Sequence, residues 1–167
     1  MSFDDAMRFT REEERGYSND PDDPGGRTFD GIAEHANPEL WRDGKVTEEE
    51  IFAAYAARFM HIRGKELPSR IALVLFDWYF QSGTVAVRAL QKLIGAIPDG
   101  IMGDHTVGAI QNRVRGFKAE DSAIAMELIE ARAGQLGKWV NQEPGRAKFV
   151  TGFMRRLARL ANAIERM

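Results

Sequence analysis

The chain has 167 residues, 44% of them hydrophobic, and a formal net charge of −2. This size is sufficient for one domain with a hydrophobic core and is too small for two ordinary domains. The sequence contains no cysteine, which excludes disulfides, a thiolate zinc site and a cysteine nucleophile. Residues 1–50 carry 15 acidic and 6 basic side chains, so the rest of the chain is basic. A basic half can attract an anionic polymer, although a solvated helical surface is the simpler interpretation.

The first 46 residues predict one helix followed by a long irregular segment. Ser2 is a suitable N-cap for a helix over residues 3–15. Residues 17–46 are rich in Gly, Pro, Asp and Asn, and only "RTFDGIA" resembles a short strand or hairpin edge. Loops this long are functional or disordered in most proteins. The aromatic residues and turn glycines here favour an ordered, functional loop.

Helical periodicity dominates the remaining sequence. Thr47 and Glu50 form a capping-box pattern at the start of the second helix, and Gly64 is its predicted C-cap. The segment "PSRIALVLFDWYFQSG" is apolar nearly all round, which predicts a central buried helix. Four further helical stretches follow at 84–95, 103–114, 119–140 and 145–167. The predicted fold class is therefore mostly α, with a small irregular or β-hairpin lobe after the first helix.

Glu14 differs from its neighbours because it continues the apolar stripe of the first helix. On a helical wheel, five residues fall within an arc of about 100°: Phe3, Ala6, Met7, Thr10 and Glu14. A carboxyl on this face loses solvation, which favours the proton-carrying form that a general acid needs. The alternative is a helix-end glutamate that faces solvent or pairs with Arg11 or Arg15.

A tight acidic turn follows the first helix in "NDPDDPGG". Prolines restrict its backbone and glycines permit positive φ or close approach. A second carboxylate can therefore be held across a cleft from Glu14, and the candidates are Asp20, Asp22 and Asp23. The turn lacks the D-x-[DN]-x-[DN]-G order of a calcium loop. Neither a metal site nor a cofactor is expected.

Three segments carry a resemblance to a known family. "ERGYSNDPDDPGGRTFDGI" resembles the pattern E-G-G-Y-x-N-D-P-x-D-x-G-G-x-T-x-x-G-I of glycoside hydrolase family 108, the N-acetylmuramidases of phage endolysins and bacterial secretion activators. "LFDWYFQSGTVAVRALQKLIGAIPDGIMGDHTVGAI" is similar to the C-terminal half of that family, which is often described as peptidoglycan-binding. "FVTGFMRRL" is similar to its closing F-x-x-G-W-x-x-R element.

The resemblance implies a lysozyme-like, mostly helical fold and a muramidase that hydrolyses the β-1,4 bond between N-acetylmuramic acid and N-acetylglucosamine. It implies that Glu14 is the catalytic acid. By similarity to phage lysozymes, Asp23 and Thr28 would assist it, with Asp20 competing for the aspartate role. The whole chain, 1–167, is expected to form one lysozyme-like domain, with residues 1–82 as its catalytic half and 83–167 as a helical half with the peptidoglycan-binding-like segment.

Two departures from the family pattern matter. Arg15 replaces a glycine, and Gln81 replaces the usual asparagine before Ser-Gly. Neither change removes a catalytic group, but both keep open a second function, a non-catalytic wall-binding or assembly protein with the muramidase fold. Candidate substrate contacts are Gln81 and the aromatic Tyr17 and Trp41, which stack on sugars or fill the core.

The N-terminal segment has two aspartates where a secretory signal has basic residues and an apolar run. We expect synthesis in the cytoplasm and action at the periplasm and cell wall. The expected partners are peptidoglycan glycan strands and, for access to the wall, a holin or export machinery. No nucleic-acid partner and no stable membrane insertion are expected.

Overall fold

The computed structural model describes residues 2–19, 26–115 and 118–167. Within them the chain forms seven α-helices and three two-residue strands. The elements in chain order are α1 (Phe3–Glu14), β1 (Tyr17–Ser18), β2 (Thr28–Phe29), β3 (Ile32–Ala33), α2 (Glu48–His61), α3 (Ser69–Ser82), α4 (Thr84–Leu93), α5 (Asp104–Val114), α6 (Lys118–Gln142) and α7 (Val150–Glu165). Short 3-10 turns lie at Pro38–Trp41, Gly64–Glu66 and Pro144–Phe149.

Helix α1 begins as predicted, because the Ser2 side chain accepts a hydrogen bond from the Asp5 backbone N–H at 3.2 Å. This bond satisfies one of the unpaired N–H groups at a helix start. Ala6 and Thr10 are the buried residues of α1. The helix ends at Glu14, and Arg15 has extended backbone angles (φ −57°, ψ 135°). The chain therefore turns away immediately after the candidate acid.

The segment "RTFDGIA" forms the predicted hairpin. Strand β2 pairs antiparallel with β1 on one side and with β3 on the other, so that Phe29 lies opposite Ile32. The two residues of its turn, Asp30 and Gly31, both have positive φ, 44° and 77°. Positive φ at both central positions matches the right-handed twist of a tight hairpin and explains the Asp-Gly pair.

Helix α2 has the predicted capping box, with the Thr47 N–H donating to the Glu50 carboxylate at 2.8 Å and the Glu50 N–H donating to the Thr47 hydroxyl at 3.3 Å. The prediction that Gly64 caps its C-terminus is wrong. The left-handed residue is Arg63, with φ 53°. Gly64 lies against the ring of Phe59, where an added Cβ would come within 2.4 Å of a ring carbon.

Helix α3 is the predicted central helix. Eight consecutive residues, from Ile71 to Trp78, are buried. Helix α3 contacts α1, α2, α4, α6 and α7, so nearly its whole circumference lies against other helices. This packing explains the absence of a polar stripe. The fold class is confirmed as mostly α, with a small antiparallel sheet.

The peptidoglycan-binding-like segment is organised around one buried amide. The Gln91 side chain donates to the Asp99 carboxylate at 2.7 Å and to the Ile101 carbonyl at 3.0 Å, and it accepts from the Gly100 N–H at 2.9 Å. These bonds hold the loop between α4 and α5, so the Q and D-G positions of this motif have a structural role here. Within the described ranges, no helix has the length and apolarity needed to cross a membrane.

Candidate active site at the end of helix α1

Glu14 is the last residue of α1, where the helix meets the β-hairpin. Its aliphatic stem lies against the hairpin turn, since an added Cβ on Gly31 would stand 3.0 Å from the Glu14 Cβ and 2.5 Å from a ring carbon of Phe80. Only glycine fits at this contact. The Glu14 side chain is 19% exposed, so its carboxylate is positioned by packing and still reaches solvent.

Five side chains from four helices form a closed hydrogen-bonded ring that includes Glu14. The Arg156 guanidinium donates to Glu14 Oε1 and makes two bonds to Asp77, at 3.0 and 2.6 Å. Arg132 donates to Asp77 at 2.7 Å and to the Gln81 amide oxygen. The Gln81 amide nitrogen then donates to Glu14 Oε1 at 3.1 Å. We call these residues the carboxylate ring: Glu14, Asp77, Gln81, Arg132 and Arg156.

Asp77 is the centre of the carboxylate ring and is completely buried. Burial opposes ionisation of its carboxyl, but the positive charges of Arg156 and Arg132 outweigh burial and lower the pKa of Asp77 below its ordinary value. Burial likewise opposes the charge of Arg156, and the charges of Asp77 and Glu14 outweigh it and raise the pKa of Arg156. A buried charge is tolerated only when it is paired and hydrogen-bonded, as both are here.

The surroundings of the Glu14 carboxylate are not the apolar pocket that the helical wheel predicts. Its neighbours are the Arg156 guanidinium and the Gln81 amide, both contributed by helices distant in sequence. Both bonds go to Oε1. In the described part of the chain, Oε2 has no hydrogen-bond partner. Oε1 of Glu14 is therefore held by the protein, whereas Oε2 has no hydrogen bond to the described residues.

The three glutamates at the end of α1 occupy different environments, as predicted. Glu13 binds Arg159 through two hydrogen bonds of 2.5 and 2.6 Å and its side chain is 9% exposed, so it is more buried than Glu14. Glu12 is exposed. Arg15 is also exposed, and within the described residues it makes no hydrogen bond to Glu14, in agreement with its expected outward direction.

The alternative pairing of Glu14 with Arg11 is not observed. Arg11 instead bridges the Asp30 and Glu48 carboxylates, at 2.8 and 2.7 Å. Asp30 also accepts from the Gly16 N–H at 2.9 Å, so both of its oxygens are used to hold the hairpin against the end of α1. Asp30 is therefore a positioning group.

The predicted substrate-contacting residues separate into two places. Gln81 bonds directly to Glu14. Tyr17, 61% exposed, and Trp41 line a different pocket together with Phe29 and Val46. Trp41 is buried, and its indole N–H donates to the Ile32 carbonyl at 3.2 Å, so most of its surface belongs to the core. Of these two aromatic residues, Tyr17 is the one exposed to solvent.

The remaining predicted catalytic residues are only partly covered by the structure. Thr28 lies in β2 opposite Ser18, and its hydroxyl is 3.5 Å from the Gly26 carbonyl oxygen. Within the described ranges it makes no hydrogen bond to Glu14. Asp20 and Asp23 lie outside the described residues. Among the described residues, no three His, Asp or Glu side chains are grouped as metal ligands would be.

Three members of the carboxylate ring were not predicted from the sequence, namely Asp77, Arg132 and Arg156. A pattern that points to Asp77 does exist, because a lone aspartate in the apolar run "LVLFDWYF" must find a positive partner when the helix is buried. The closing F-x-x-G-W-x-x-R element, matched on "FVTGFMRRL", ends on Arg156 and was therefore a signal for it. Arg132 is the single arginine in the sequence of α6, and no pattern marks it as a partner of Asp77.

Comparisons with known proteins relate the chain to a family of glycosyl hydrolases. Residues 7–83 match the family model described as glycosyl hydrolase 108. Among solved structures, the chain is similar to that of Brucella abortus SagA, with 28% sequence identity and a TM-score of 0.75. This similarity covers 96% of the chain and 92% of SagA. No curated protein sequence matches the chain significantly.

Proposed function

The chain belongs to glycosyl hydrolase family 108, and on that premise we propose that it is a peptidoglycan muramidase. It hydrolyses the β-1,4 bond between N-acetylmuramic acid and N-acetylglucosamine, with Glu14 as general acid. The observation that supports this proposal is the isolated open oxygen of Glu14, on a carboxylate whose other oxygen is bound by Arg156 and Gln81. The glycoside hydrolase family indicates the class of reaction, and the carboxyl group of Glu14 is held in a fixed position.

In this mechanism the proton is carried on Oε2 of Glu14. Glycoside hydrolysis needs a carboxylic acid that protonates the departing glycosidic oxygen as the sugar acquires oxocarbenium character. Since Oε1 is occupied on two sides, Oε2 is the atom that can reach the substrate. The carboxylate ring keeps the direction of Oε2 constant, which saves the orientational entropy that a mobile glutamate would lose during reaction.

A second group must stabilise the oxocarbenium-like state or activate water. We assign this role to Asp23 with Thr28, and Asp20 is the alternative carboxylate. Thr28 lies on β2, in the hairpin that contacts the Glu14 stem through Gly31. The hairpin is therefore attached to the candidate acid, which supports a role for residues of this lobe.

The proposed function is tested with Glu14→Gln. The amide retains the size of the side chain and can still interact with its neighbours, but it has no acidic proton to donate. We expect reducing-end release from purified peptidoglycan to fall to background while circular dichroism is unchanged. Glu12→Gln is the matched control, since this exposed residue of the same helix should be replaceable without loss. Full activity of folded Glu14→Gln would remove Glu14 from the mechanism.

The second candidate function is a non-catalytic wall-binding or assembly protein. It is favoured by one observation: among the described residues, the ring takes three hydrogen bonds from Arg156 and two from Arg132, which is also what a purely structural network would show. Both functions predict binding to peptidoglycan, so binding does not separate them. Absence of reducing-end release by the wild type would support the second. In either case, access to the wall is proposed to depend on a holin or export machinery.

A further inference from the structure

The connection between α6 and α7 forms an end of the molecule where apolar and basic side chains are exposed together. The two helices pack against each other and against the 3-10 turn between them, Pro144–Phe149. Lys138 lies four residues before the end of α6 and Arg155 five residues after the start of α7. Each is therefore within about 8 Å of the end of its helix, at about 1.5 Å per residue. We call residues 138–155 the α6–α7 tip.

Two large apolar side chains of the α6–α7 tip face solvent. Phe149 is 53% exposed and Met154 is 49% exposed. Trp139, Val150 and Phe153 of the same segment are half-buried, so much apolar surface is gathered at this end of the helix pair. Apolar surface concentrated in one place is typical of a site that binds another molecule or a membrane.

The α6–α7 tip is also basic. Its sequence holds four basic residues and one acidic residue, whereas the whole chain has a net charge of −2. Lys138, Lys148 and Arg155 are exposed, and within the described residues none of these three side chains forms a salt bridge. The ammonium Nζ of Lys148 lies 4.9 Å from the centre of the Phe149 ring. Positive charge and exposed apolar surface are therefore adjacent at the tip.

This combination is complementary to an anionic lipid surface. Lysine and arginine attract acidic headgroups, while exposed aromatic and other apolar side chains enter the boundary between headgroups and acyl chains. A hydrophilic anionic polymer would satisfy the charges but would offer no apolar surface to Phe149 and Met154. A second copy of the chain would bring the same basic residues together, and like charges across an interface oppose association.

We propose that the α6–α7 tip attaches the protein peripherally to a membrane that contains anionic lipids. Phe149 and Met154 enter the headgroup region, and Lys138, Lys148 and Arg155 pair with the lipid phosphates. Such attachment needs no membrane-spanning helix, and the described ranges contain none. The inference goes beyond the proposed hydrolysis, because it uses no residue of the carboxylate ring.

The test is flotation of the wild-type chain with lipid vesicles in a density gradient. The vesicles contain either phosphatidylcholine alone or equal parts of phosphatidylcholine and phosphatidylglycerol. We expect the anionic vesicles to bind about 100-fold more tightly at low salt, since each of three basic residues contributes about fivefold, and we expect added salt to reduce this preference. Phe149→Ser and Met154→Ser should each weaken binding to the anionic vesicles about tenfold.

The role of charge is tested by reversing two lysines at once, at matched circular dichroism. Lys138→Glu combined with Lys148→Glu should weaken binding about 25-fold or more. Lys65→Glu combined with Lys92→Glu is the matched control, because these exposed lysines lie outside the tip and their reversal gives the same net charge. Met60→Ser is the control for an apolar side chain, since Met60 is 67% exposed on α2. Both controls should bind as the wild type does.

Phe149→Trp distinguishes entry into the lipid from contact with phosphate alone. Bromine-labelled acyl chains quench the emission of a tryptophan that reaches them, so anionic vesicles of brominated lipid should quench the additional emission of this variant. Inorganic polyphosphate is the probe for charge without an apolar phase. If polyphosphate binds as tightly as the vesicles and the added tryptophan is not quenched, the tip binds an anionic polymer and the proposal is overturned.

Three further results would overturn membrane attachment: no binding to vesicles, equal binding to the two compositions, or unchanged binding by the tip variants. A wild-type dimer that Phe149→Ser dissociates, without vesicle binding, would assign the tip to a second copy. The proposed hydrolysis is tested separately, because the tip variants should release reducing ends from purified peptidoglycan within about twofold of the wild type. If the wild type binds anionic vesicles but releases no reducing ends, membrane attachment stands and the hydrolase proposal is wrong.

Discussion

Arg156 and Asp77 face each other through two nearly parallel hydrogen bonds, from Nε to Oδ2 at 3.0 Å and from Nη2 to Oδ1 at 2.6 Å. This bidentate arrangement leaves Nη1 of Arg156 directed at Glu14. A planar guanidinium has the fixed donor geometry that such a double contact needs. The orientation of the candidate acid therefore depends on a buried aspartate that it does not touch.

Asp77→Asn should destabilise the protein strongly. Asparagine leaves the charge of Arg132 buried without an anionic partner and leaves Arg156 with Glu14 alone, and breaking a buried pair in this way costs about 3–5 kcal/mol. The free energy of unfolding in urea measures the loss. Asp5→Asn is the control, because the Asp5–Arg8 pair is exposed and its removal should hardly change the urea midpoint. A similar small effect for Asp77→Asn would contradict a supporting role for the pair.

The same aspartate predicts a pH dependence of stability. The pKa of Asp77 in the folded chain lies below its ordinary value of 3.8, because burial is outweighed by Arg156 and Arg132. Its stabilising contribution is therefore fully present above pH 3.8 and is lost as the pH falls through the folded-state pKa. The difference in unfolding free energy between wild type and Asp77→Asn should be constant near neutral pH and shrink in acid. If this difference in unfolding free energy instead grew as the pH fell, the pKa of Asp77 would not be lowered in the folded chain.

Arg156→Lys should impair turnover more than folding. An ammonium group keeps the charge next to Asp77 but cannot make the bidentate contact and reach Glu14 at the same time. Misplacement of a catalytic group by about 1 Å can cost on the order of 10²-fold in rate. We expect kcat to fall by this order with a smaller change in KM.

Arg159→Lys is the matched control for this variant, since Arg159 is an exposed arginine of the same helix that binds Glu13. It should retain kcat within about twofold. If folded Arg156→Lys does the same, the link between Arg156 and Glu14 is unimportant for the reaction.

Gly31→Ala tests the contact between the hairpin and the candidate acid. A left-handed conformation costs an alanine about 1–2 kcal/mol, and at Gly31 the new methyl also meets Phe80 and Glu14. Gly95→Ala measures the cost of the left-handed conformation alone, because Gly95 has a similar φ, 74°, with nothing within 4 Å of its Cβ position. Both variants should lose stability, but only Gly31→Ala should also lose glycan cleavage. Equal activity of the two would show that Gly31 does not position Glu14.

The identity of the second carboxylate is tested by Asp23→Asn and Asp20→Asn. If Asp23 faces the developing cation or holds water, its amide variant should reduce turnover by orders of magnitude with little change in KM. Asp20→Asn should act mainly through stability. The reverse ranking in two folded variants, measured by reducing-end release, would transfer the role to Asp20.

Local features of this fold were predictable because they depend on neighbours in sequence. The Ser2 cap, the Thr47 and Glu50 capping box and the Asp-Gly hairpin turn each involve residues within three positions of one another. The end of α2 was not predictable in the same way, because Arg63 adopts positive φ while Gly64 is needed for close packing against Phe59. At the end of α2, the packing of Gly64 against Phe59 outweighs the usual preference of glycine for the left-handed C-cap position.

The role of Glu14 remains a prediction, and the apolar surroundings predicted for it are not what the structure shows. The helical wheel identifies the face of α1 on which Glu14 lies, but it contains no information on which distant side chain approaches that face. The nearest partners, Gln81 and Arg156, come from α3 and α7. Their positions follow from how the helices pack around α3, which periodicity within each helix does not specify.

The hydrogen bond between Arg156 and Glu14 joins residues 142 positions apart. On the ribosome, α1 and the hairpin emerge long before α7, so a nascent chain that already contains residues 7–83 still lacks the donor that orients Glu14. The Glu14 carboxylate acquires this partner only when α7 docks. If Glu14 is the acid proposed above, the chain gains activity only after α7 has been made and packed, and proteolytic removal of α7 would abolish that activity.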